Sequence, residues 1–158
     1  MHTISEPSQQ APSLPPRWFI RTFWVAQRAV YSLTAGRLGL RTAGADHQGM
    51  LRLHTIGRRS GAERAAILAY FEDGDDLVTM ARNGWADPEP AWWLNLQANP
   101  DTTVDLPGGT REVHARAAGP DERPRLWARW AALDEGLDEY ASRRSRETAV
   151  VILSPRSA

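Results

Sequence analysis

Two turn signals between apolar segments constrain the fold of this chain more than any other feature. Residues 51–83, LRLHTIGRRSGAERAAILAYFEDGDDLVTMARN, contain an alternating segment, a Gly-bracketed basic turn, a longer apolar segment, an Asp-Gly pair and a third apolar segment. Asp-Gly between apolar runs is a strong local sign of a β-hairpin. The stretch therefore predicts three consecutive antiparallel strands, at residues 50–56, 63–71 and 77–81.

Within the first of these strands, residues of alternating parity must face opposite sides of the sheet. Leu51, Leu53 and Thr55 are predicted to face one way. Arg52, His54 and Ile56 then face the other way. His54 is expected to find a hydrogen-bond partner there, although a role toward a ligand stays open.

The rest of the chain predicts three further strands and several short helices. The predicted strands are residues 102–106, 110–117 and 149–153, with a turn at Pro107-Gly108-Gly109. The predicted helices are residues 91–98 and a segment that opens at Gly119-Pro120-Asp121. Strands joined by hairpins with few long helices indicate a mainly β, α+β fold, a six-stranded antiparallel barrel with peripheral helices.

The beginning of the chain has a different composition. Residues 1–16 are polar and rich in proline, which predicts a flexible tail. Residues 17–33 carry aromatic and basic side chains at approximately helical spacing, which predicts an amphipathic helix. That helix could pack over the barrel, lie on a membrane surface as a peripheral contact, or cover a lipophilic channel. We expect one domain over 17–158, with the barrel at 49–158.

Composition excludes several functional classes. The 158 residues suit one domain, and a formal net charge of zero gives no reason to expect a nucleic-acid partner. The absence of cysteine excludes thiol nucleophiles and disulfides, and the four histidines lack metal-ligand spacing. No signal-peptide pattern or apolar run of about 20 residues occurs, so a cytoplasmic protein is expected, with membrane association through 17–33 as the alternative.

The first turn is the best candidate for a binding site. It comprises Gly57, Arg58, Arg59, Ser60 and Gly61, and Arg64 follows closely. Glycines allow backbone N–H groups to converge on one point, and guanidinium groups bind phosphate with two hydrogen bonds. The turn is thus either an anion clamp or a solvated basic hairpin. No Ser-His-Asp order and no P-loop spacing accompanies it, so difficult chemistry would fall to a cofactor.

Two ordered blocks carry a family resemblance. TIGRRSG…R…AYFEDGDDLVTMARNG resembles the T-x-G-R-K-S-G…D-G-D…A-S-x-G-G pattern of the deazaflavin-dependent nitroreductase family. DPEPAWWLNLQANPDTTVDL resembles that family's K-x-P-x-W-x-x-N-L-x-A-N-P-x-V block, so the likeness spans about Leu51 to Leu106. The resemblance implies an FMN-binding-like split β-barrel, with coenzyme F-420 as the cofactor and FMN as the less favoured alternative.

The resemblance also implies a set of cofactor-binding residues. The arginine turn would hold the anionic phosphodiester and glutamate tail, and the segment from Ala81 to Gly84 would contact the deazaflavin ring. Core packing is the favoured interpretation of Trp92, and Asn95 could either cap neighbouring backbone or reach the coenzyme. The predicted set is Gly57, Arg58, Arg59, Ser60, Gly61, Arg64, Ile67, Leu68, Ala81, Arg82, Asn83, Gly84, Trp92 and Asn95.

Three further positions bear on the family resemblance. Tyr140 matches a family tyrosine that contacts substrate or supplies a proton, although a packing role stays open. Leu137 stands where a second tyrosine is frequent, which argues against nitroreductase behaviour. Ile67 stands where the family often has proline.

The expected function is an F-420-dependent reductase that transfers a hydride to a quinone-like, nitro or other conjugated small molecule. The alternative is a non-catalytic binding barrel or carrier for a flavin or deazaflavin, because one fold can host several ligands. Split barrels commonly pair, so a homodimer is also an expectation.

Overall fold

The computed structural model describes residues 39–156, and all of them belong to one compact unit of the chain, Gly36–Ala158. The predicted tail at 1–16 and the predicted helix at 17–33 lie outside the described residues. So does part of the predicted single domain over 17–158.

Six antiparallel strands in residues 39–156 close into a barrel in the order β1-β2-β3-β6-β5-β4. The strands are β1 Gly49–Ile56, β2 Glu63–Asp73, β3 Asp76–Met80, β4 Asp101–Leu106, β5 Gly109–Ala117 and β6 Val150–Pro155. The helices of the same residues are α1 Ala91–Ala98, α2 Arg123–Leu133 and α3 Leu137–Ser142. The barrel closes where β1 pairs with β4, Leu53 opposite Val104. The predicted six-stranded antiparallel barrel is confirmed.

Alternation along β1 follows the predicted pattern. Leu51, Leu53 and Thr55 are buried, while the side chains between them are partly exposed. His54 hydrogen-bonds Asp105 of β4, with 2.7 Å between Nε2 and Oδ2. Burial acts to raise the pKa of Asp105, but hydrogen bonds from His54 and Thr110 outweigh it and leave that pKa below its usual value.

Two apolar clusters fill and cover the barrel. The interior cluster includes Leu51, Leu53 and Val104, and α1 adds Trp93 and Leu96 to it. The predicted burial of this helix on the barrel is therefore observed.

The second cluster covers the outside of the barrel. It places Leu126 and Trp130 of α2 against Phe71, Val78 and Met80. The rings of Phe71 and Trp130 are 5.3 Å apart between centroids. No helix among residues 39–156 is long and apolar enough to cross a membrane.

Replacement of Leu53 by alanine tests the register of β1. Leu53 is 0% exposed, so Leu53→Ala should lower the free energy of unfolding by about 2–5 kcal/mol through lost burial and a cavity. Ile56→Ala on the same strand is the control, because Ile56 is 43% exposed and should lose at most about 1 kcal/mol. Urea denaturation measures both, and equal losses would contradict the register.

Candidate functional site

A cleft of about 760 Å³ opens along the first half of β2, beside the β1–β2 turn and the start of α1. This volume lies within the range of small-molecule sites. Of the fourteen predicted cofactor-binding residues, all except Gly61 and Ala81 line it. The lining members of that set are Gly57, Arg58, Arg59, Ser60, Arg64, Ile67, Leu68, Arg82, Asn83, Gly84, Trp92 and Asn95.

The β1–β2 turn depends on both of its glycines. The N–H of Gly61 donates to the carbonyl of Gly57 at 2.8 Å, and Gly57 N–H donates to Ala62 at 2.8 Å. A Cβ on Gly57 would lie 2.7 Å from Ser60 Oγ, and Gly61 has a φ of +68°. Gly61 therefore shapes the turn without lining the cleft.

Asn95 of α1 holds this turn in place. Its Oδ1 accepts the Arg58 backbone N–H at 3.1 Å and Arg58 Nη1 at 3.2 Å. Its Nδ2 donates to Thr55 Oγ1 at 3.2 Å. Asn95 is 3% exposed, so these bonds form away from solvent and fix the turn firmly. Of the two roles left open for Asn95, contact with neighbouring backbone is observed.

The arginines of the turn keep an uncompensated positive charge. Arg58, Arg59 and Arg64 form no ion pair with any carboxylate of the described residues, and all three are exposed. The neutral Asn95 amide is the partner of the Arg58 guanidinium. One wall of the cleft thus presents cations that are available to an anion.

Arg82, at the opposite wall, is in a different electrostatic state. Its Nη1 lies 2.6 Å from Asp134 Oδ2, and its guanidinium lies 5.5 Å from the ring centroids of both Trp85 and Trp130. The protein's own carboxylate compensates this charge. The side of the cleft next to Arg82 is therefore closer to neutral than the turn.

Ala81, just after β3, was expected to contact the cofactor ring, but the structure buries it away from the cleft. Its N–H donates to Ala149 at 2.9 Å, and its carbonyl accepts from Arg144 Nη1 at 3.3 Å. Ala81 is also fully buried, so its backbone offers nothing to the cleft. Asn83 and Gly84 are exposed and line the cleft, and a Cβ on Gly84 would have no atom within 4 Å. The room for a ligand begins after Ala81.

Arg144 organises the segment after β3, and sequence reasoning missed it. Its side chain is 0% exposed, with Nε donating to Ala86 at 2.9 Å and Nη2 to Asp87 at 3.2 Å. It also pairs with Glu89 at 3.1 Å and donates to Thr148 Oγ1 at 2.8 Å. The run R-R-S-R gives no signal of which arginine is buried, because all have the same local sequence character.

A second contact joins the same two segments. The backbone N–H of Ser145 donates to Asp87 Oδ1 at 2.7 Å. This hydrogen bond holds the pKa of the Asp87 carboxyl below its usual value. The segment of residues 82–90, which supplies one wall of the cleft, is thereby tied to the chain that follows α3.

Tyr140 lies outside the cleft. It is 44% exposed, and its ring stacks on Trp85 with 6.4 Å between centroids and 13° between planes. Trp85 lines a second cavity, of about 340 Å³, which adjoins the cleft. Leu137 is 1% exposed and belongs to the outer apolar cluster, so this side chain packs in the core.

No cluster of three or more His, Asp or Glu side chains that could hold a metal occurs in residues 39–156.

Solved structures with this fold include redox and ligand-binding proteins. A protein titled an F420-H2 dependent reductase (FDR-A) has a TM-score of 0.60 and 24% identity, covering 66% of this chain and 93% of that one. A structure titled a domain-swapped dimer has a TM-score of 0.62 and 24% identity, covering 85% and 99%. The Vibrio cholerae heme storage protein HutZ has a TM-score of 0.53 and 11% identity, covering 80% and 89%. These likenesses define the class, a split β-barrel of the FMN-binding-like kind.

Sequence comparison gives the particular family. The sequence model of the F420H(2)-dependent quinone reductases matches residues 24–155. An F420H(2)-dependent quinone reductase of Mycobacterium tuberculosis strain H37Rv is 34% identical over 132 residues, which is 81% of this chain and 87% of the relative. A second relative from that strain is 35% identical over 106 residues, 67% and 89% of the two chains. The chain belongs to the F420H(2)-dependent quinone reductase family, and it is an oxidoreductase whose cofactor is coenzyme F420.

Replacement of Arg144 by lysine tests the role of the buried guanidinium. Lysine keeps the charge but has three donors on one nitrogen, whereas the guanidinium donates from three nitrogens here, so Arg144→Lys should lower the free energy of unfolding by about 2–4 kcal/mol. Amide hydrogen exchange at residues 82–89 should accelerate in the variant.

Arg146→Lys is the matched control for that measurement. Arg146 is 49% exposed and 3.9 Å from the same Glu89, so this variant should lose at most about 1 kcal/mol. Similar losses in both variants would show that Arg144 does not organise the segment.

Proposed function

We propose that the cleft holds coenzyme F420 with its anionic tail at the β1–β2 turn and its ring beside Asn83 and Gly84, and that the chain reduces a quinone-like acceptor. The observation that carries this proposal is the uncompensated charge of Arg58, Arg59 and Arg64 at one end of the cleft.

The turn is well suited to a phosphodiester and carboxylates. Asn95 fixes the backbone of Arg58, so an arriving anion meets a donor group that needs little ordering. Arg59 and Arg64 add exposed guanidinium forks, which bind such oxygens in pairs. Ser60 Oγ already accepts the Ala62 N–H at 3.2 Å, and its hydroxyl hydrogen can donate to the same anion.

The other end of the cleft is suited to a flat ring. Ile67 is 45% exposed and lines the cleft beside Leu68, which gives an apolar surface on β2. Gly84 faces open space, so no side chain obstructs a planar group there. Trp92, 9% exposed, serves the barrel core and lines the cleft at once.

When bound, the reduced coenzyme supplies a hydride, so the chain has to orient the acceptor, exclude water and deliver a proton. Tyr140 is the proposed proton source. Tyr140 is exposed, and its ring stacks on Trp85. Trp85 in turn lines the second cavity. Nitro compounds stay a prediction only, and the buried Leu137 supplies no second phenol for them.

The non-catalytic carrier that the sequence left as the alternative is the outcome against which the proposed quinone reduction is tested. A homodimer also belongs to the proposal, and the structure titled a domain-swapped dimer supports it.

Two measurements separate the candidates. Fluorescence titration compares F420 with FMN, and oxidation of reduced F420 by menadione measures turnover. Binding of F420 with turnover supports the reductase. Tight binding without turnover supports the carrier, and binding of FMN alone would overturn both proposed roles for the cleft.

Arg59→Ala tests the anion clamp. Loss of a charge-assisted hydrogen bond should weaken F420 binding by about 1.5–3 kcal/mol. Arg111→Ala is the control, because Arg111 is an exposed arginine of β5 outside the cleft and removes the same unit of net charge. An unchanged dissociation constant for Arg59→Ala, or an equal effect in both variants, would show that the turn is not the clamp.

Tyr140→Phe tests proton delivery and keeps the ring that stacks on Trp85. Turnover with menadione should fall by about a hundredfold or more, the scale of general acid catalysis, while F420 affinity stays within about twofold. A packing role would leave turnover unchanged, because the variant keeps the ring. Wild-type kinetics would remove Tyr140 from the mechanism.

A further inference from the structure

We propose that the cavity of about 340 Å³ beside the cleft is the acceptor subsite, a slot for a flat, uncharged aromatic ring that bears a hydrogen-bond-accepting oxygen. Trp85 and Trp130 are its specificity-determining residues. This inference rests on the proposed reductase function and names where its acceptor binds.

The slot adjoins the cleft. Ile67, Leu68, Arg82 and Gly84 line both cavities. A molecule in the slot would therefore lie next to whatever occupies the ring end of the cleft. Such adjacency is the geometric requirement for transfer between two bound molecules.

Trp85 occupies a backbone conformation that normally requires glycine. Its φ is +64°, and it is the one non-glycine residue of the described part of the chain with a positive φ. The family pattern A-S-x-G-G places a second glycine at this position. A bulky residue in left-handed backbone costs about 1–3 kcal/mol, which indicates that its side chain has a role.

The Trp85 ring is held as a rigid wall. Tyr140 stacks on it nearly in parallel, at 13°. The Arg82 guanidinium lies 5.5 Å from its centroid, and Asp134 fixes that guanidinium at 2.6 Å. These contacts fix the orientation of a flat apolar surface, on which a second flat ring can stack.

The polarity of the slot restricts its occupant to an uncharged molecule. Arg82 is its charged lining residue, and Asp134 compensates that charge. The hydroxyl of Thr79 already donates to the Ala69 carbonyl at 2.8 Å. Neither group is left to bind an anion or a cation.

Trp130 supplies a hydrogen-bond donor without an acceptor. Its side chain is 0% exposed, and no group among residues 39–156 accepts from its Nε1. Buried donors of this kind are rare because each loses its hydrogen bond to water. In the proposed complex a ring carbonyl in the slot accepts from this indole N–H, which the occupant must first uncover because the side chain has no exposed surface in the free protein. A quinone has both the flat ring and the carbonyl.

Nuclear magnetic resonance of the coenzyme-free protein tests the slot independently of turnover. The probe is menadione, added to protein with 15N-labelled tryptophan, and Trp130→Phe assigns the Trp130 indole signal. We expect a downfield shift of that signal as its N–H meets a carbonyl. The matched ligand is 2-methylnaphthalene, which has the same ring and no oxygen and should perturb Trp85 without the downfield shift.

Trp85→Gly is the matched protein variant, since glycine suits a positive φ and leaves the backbone unstrained. Menadione affinity by the same titration should fall by about tenfold, the scale of one lost aromatic stack, and F420 affinity should stay within about twofold. Trp85→Phe should restore part of the loss. Trp127→Phe is the control for tryptophan removal, because Trp127 lies outside both cavities.

The outcomes separate this inference from the proposed function. Menadione reduction with no response of the Trp85 or Trp130 signals would overturn the slot and leave the reductase intact. Menadione binding at these signals without turnover would support the slot and overturn the reductase. A Trp85→Gly protein with wild-type menadione affinity would overturn the role of Trp85.

Discussion

The hydrogen bonds of Asn95 are the constraint on which the site depends. This one buried amide accepts from both the backbone and the guanidinium of Arg58 and donates to Thr55, so it ties β1, the basic turn and α1 together. Without that anchor, a turn of two glycines and two arginines would be free to move into solvent. Because a neutral group makes the anchor, the turn is rigid and yet keeps its positive charge. An anchoring aspartate would have fixed the turn and cancelled the charge.

Arg144 fixes the opposite wall of the cleft, with a charged side chain in place of the neutral amide of Asn95. A buried guanidinium has five donors, and here they satisfy backbone carbonyls of a segment that forms no regular sheet or helix. Glu89 compensates its charge. The two walls of the cleft are thus held by residues far apart in the sequence, since Asn95 lies in α1 and Arg144 follows α3.

Much of the fold was predictable from sequence because its determinants are local. Asp-Gly turns, strand alternation and Pro-Gly turns each act within a few residues, and they predicted all six strands and α1 with small errors at the ends. The lining of the cleft was predictable where short segments supply it, as at Gly57 and Asn83. The features that could not be predicted depend on residues distant in the sequence, such as the contacts of Ala81 with Ala149 and Arg144. No local pattern shows which of the arginines finds a buried partner.

The two ends of the cleft differ in charge, because the arginines at one end have no ion pair within residues 39–156 and the arginine at the other end has one. Arg58, Arg59 and Arg64 keep their charge at one end, whereas Asp134 compensates Arg82 at the other. An elongated molecule with one anionic end and one flat, weakly polar end can therefore bind in only one orientation without leaving its charge unpaired. That orientation places the flat end beside the neutral slot with its buried indole donor. In the proposed complex, the electrostatics of four arginines, more than the shape of the barrel, would determine which end of the coenzyme meets the acceptor.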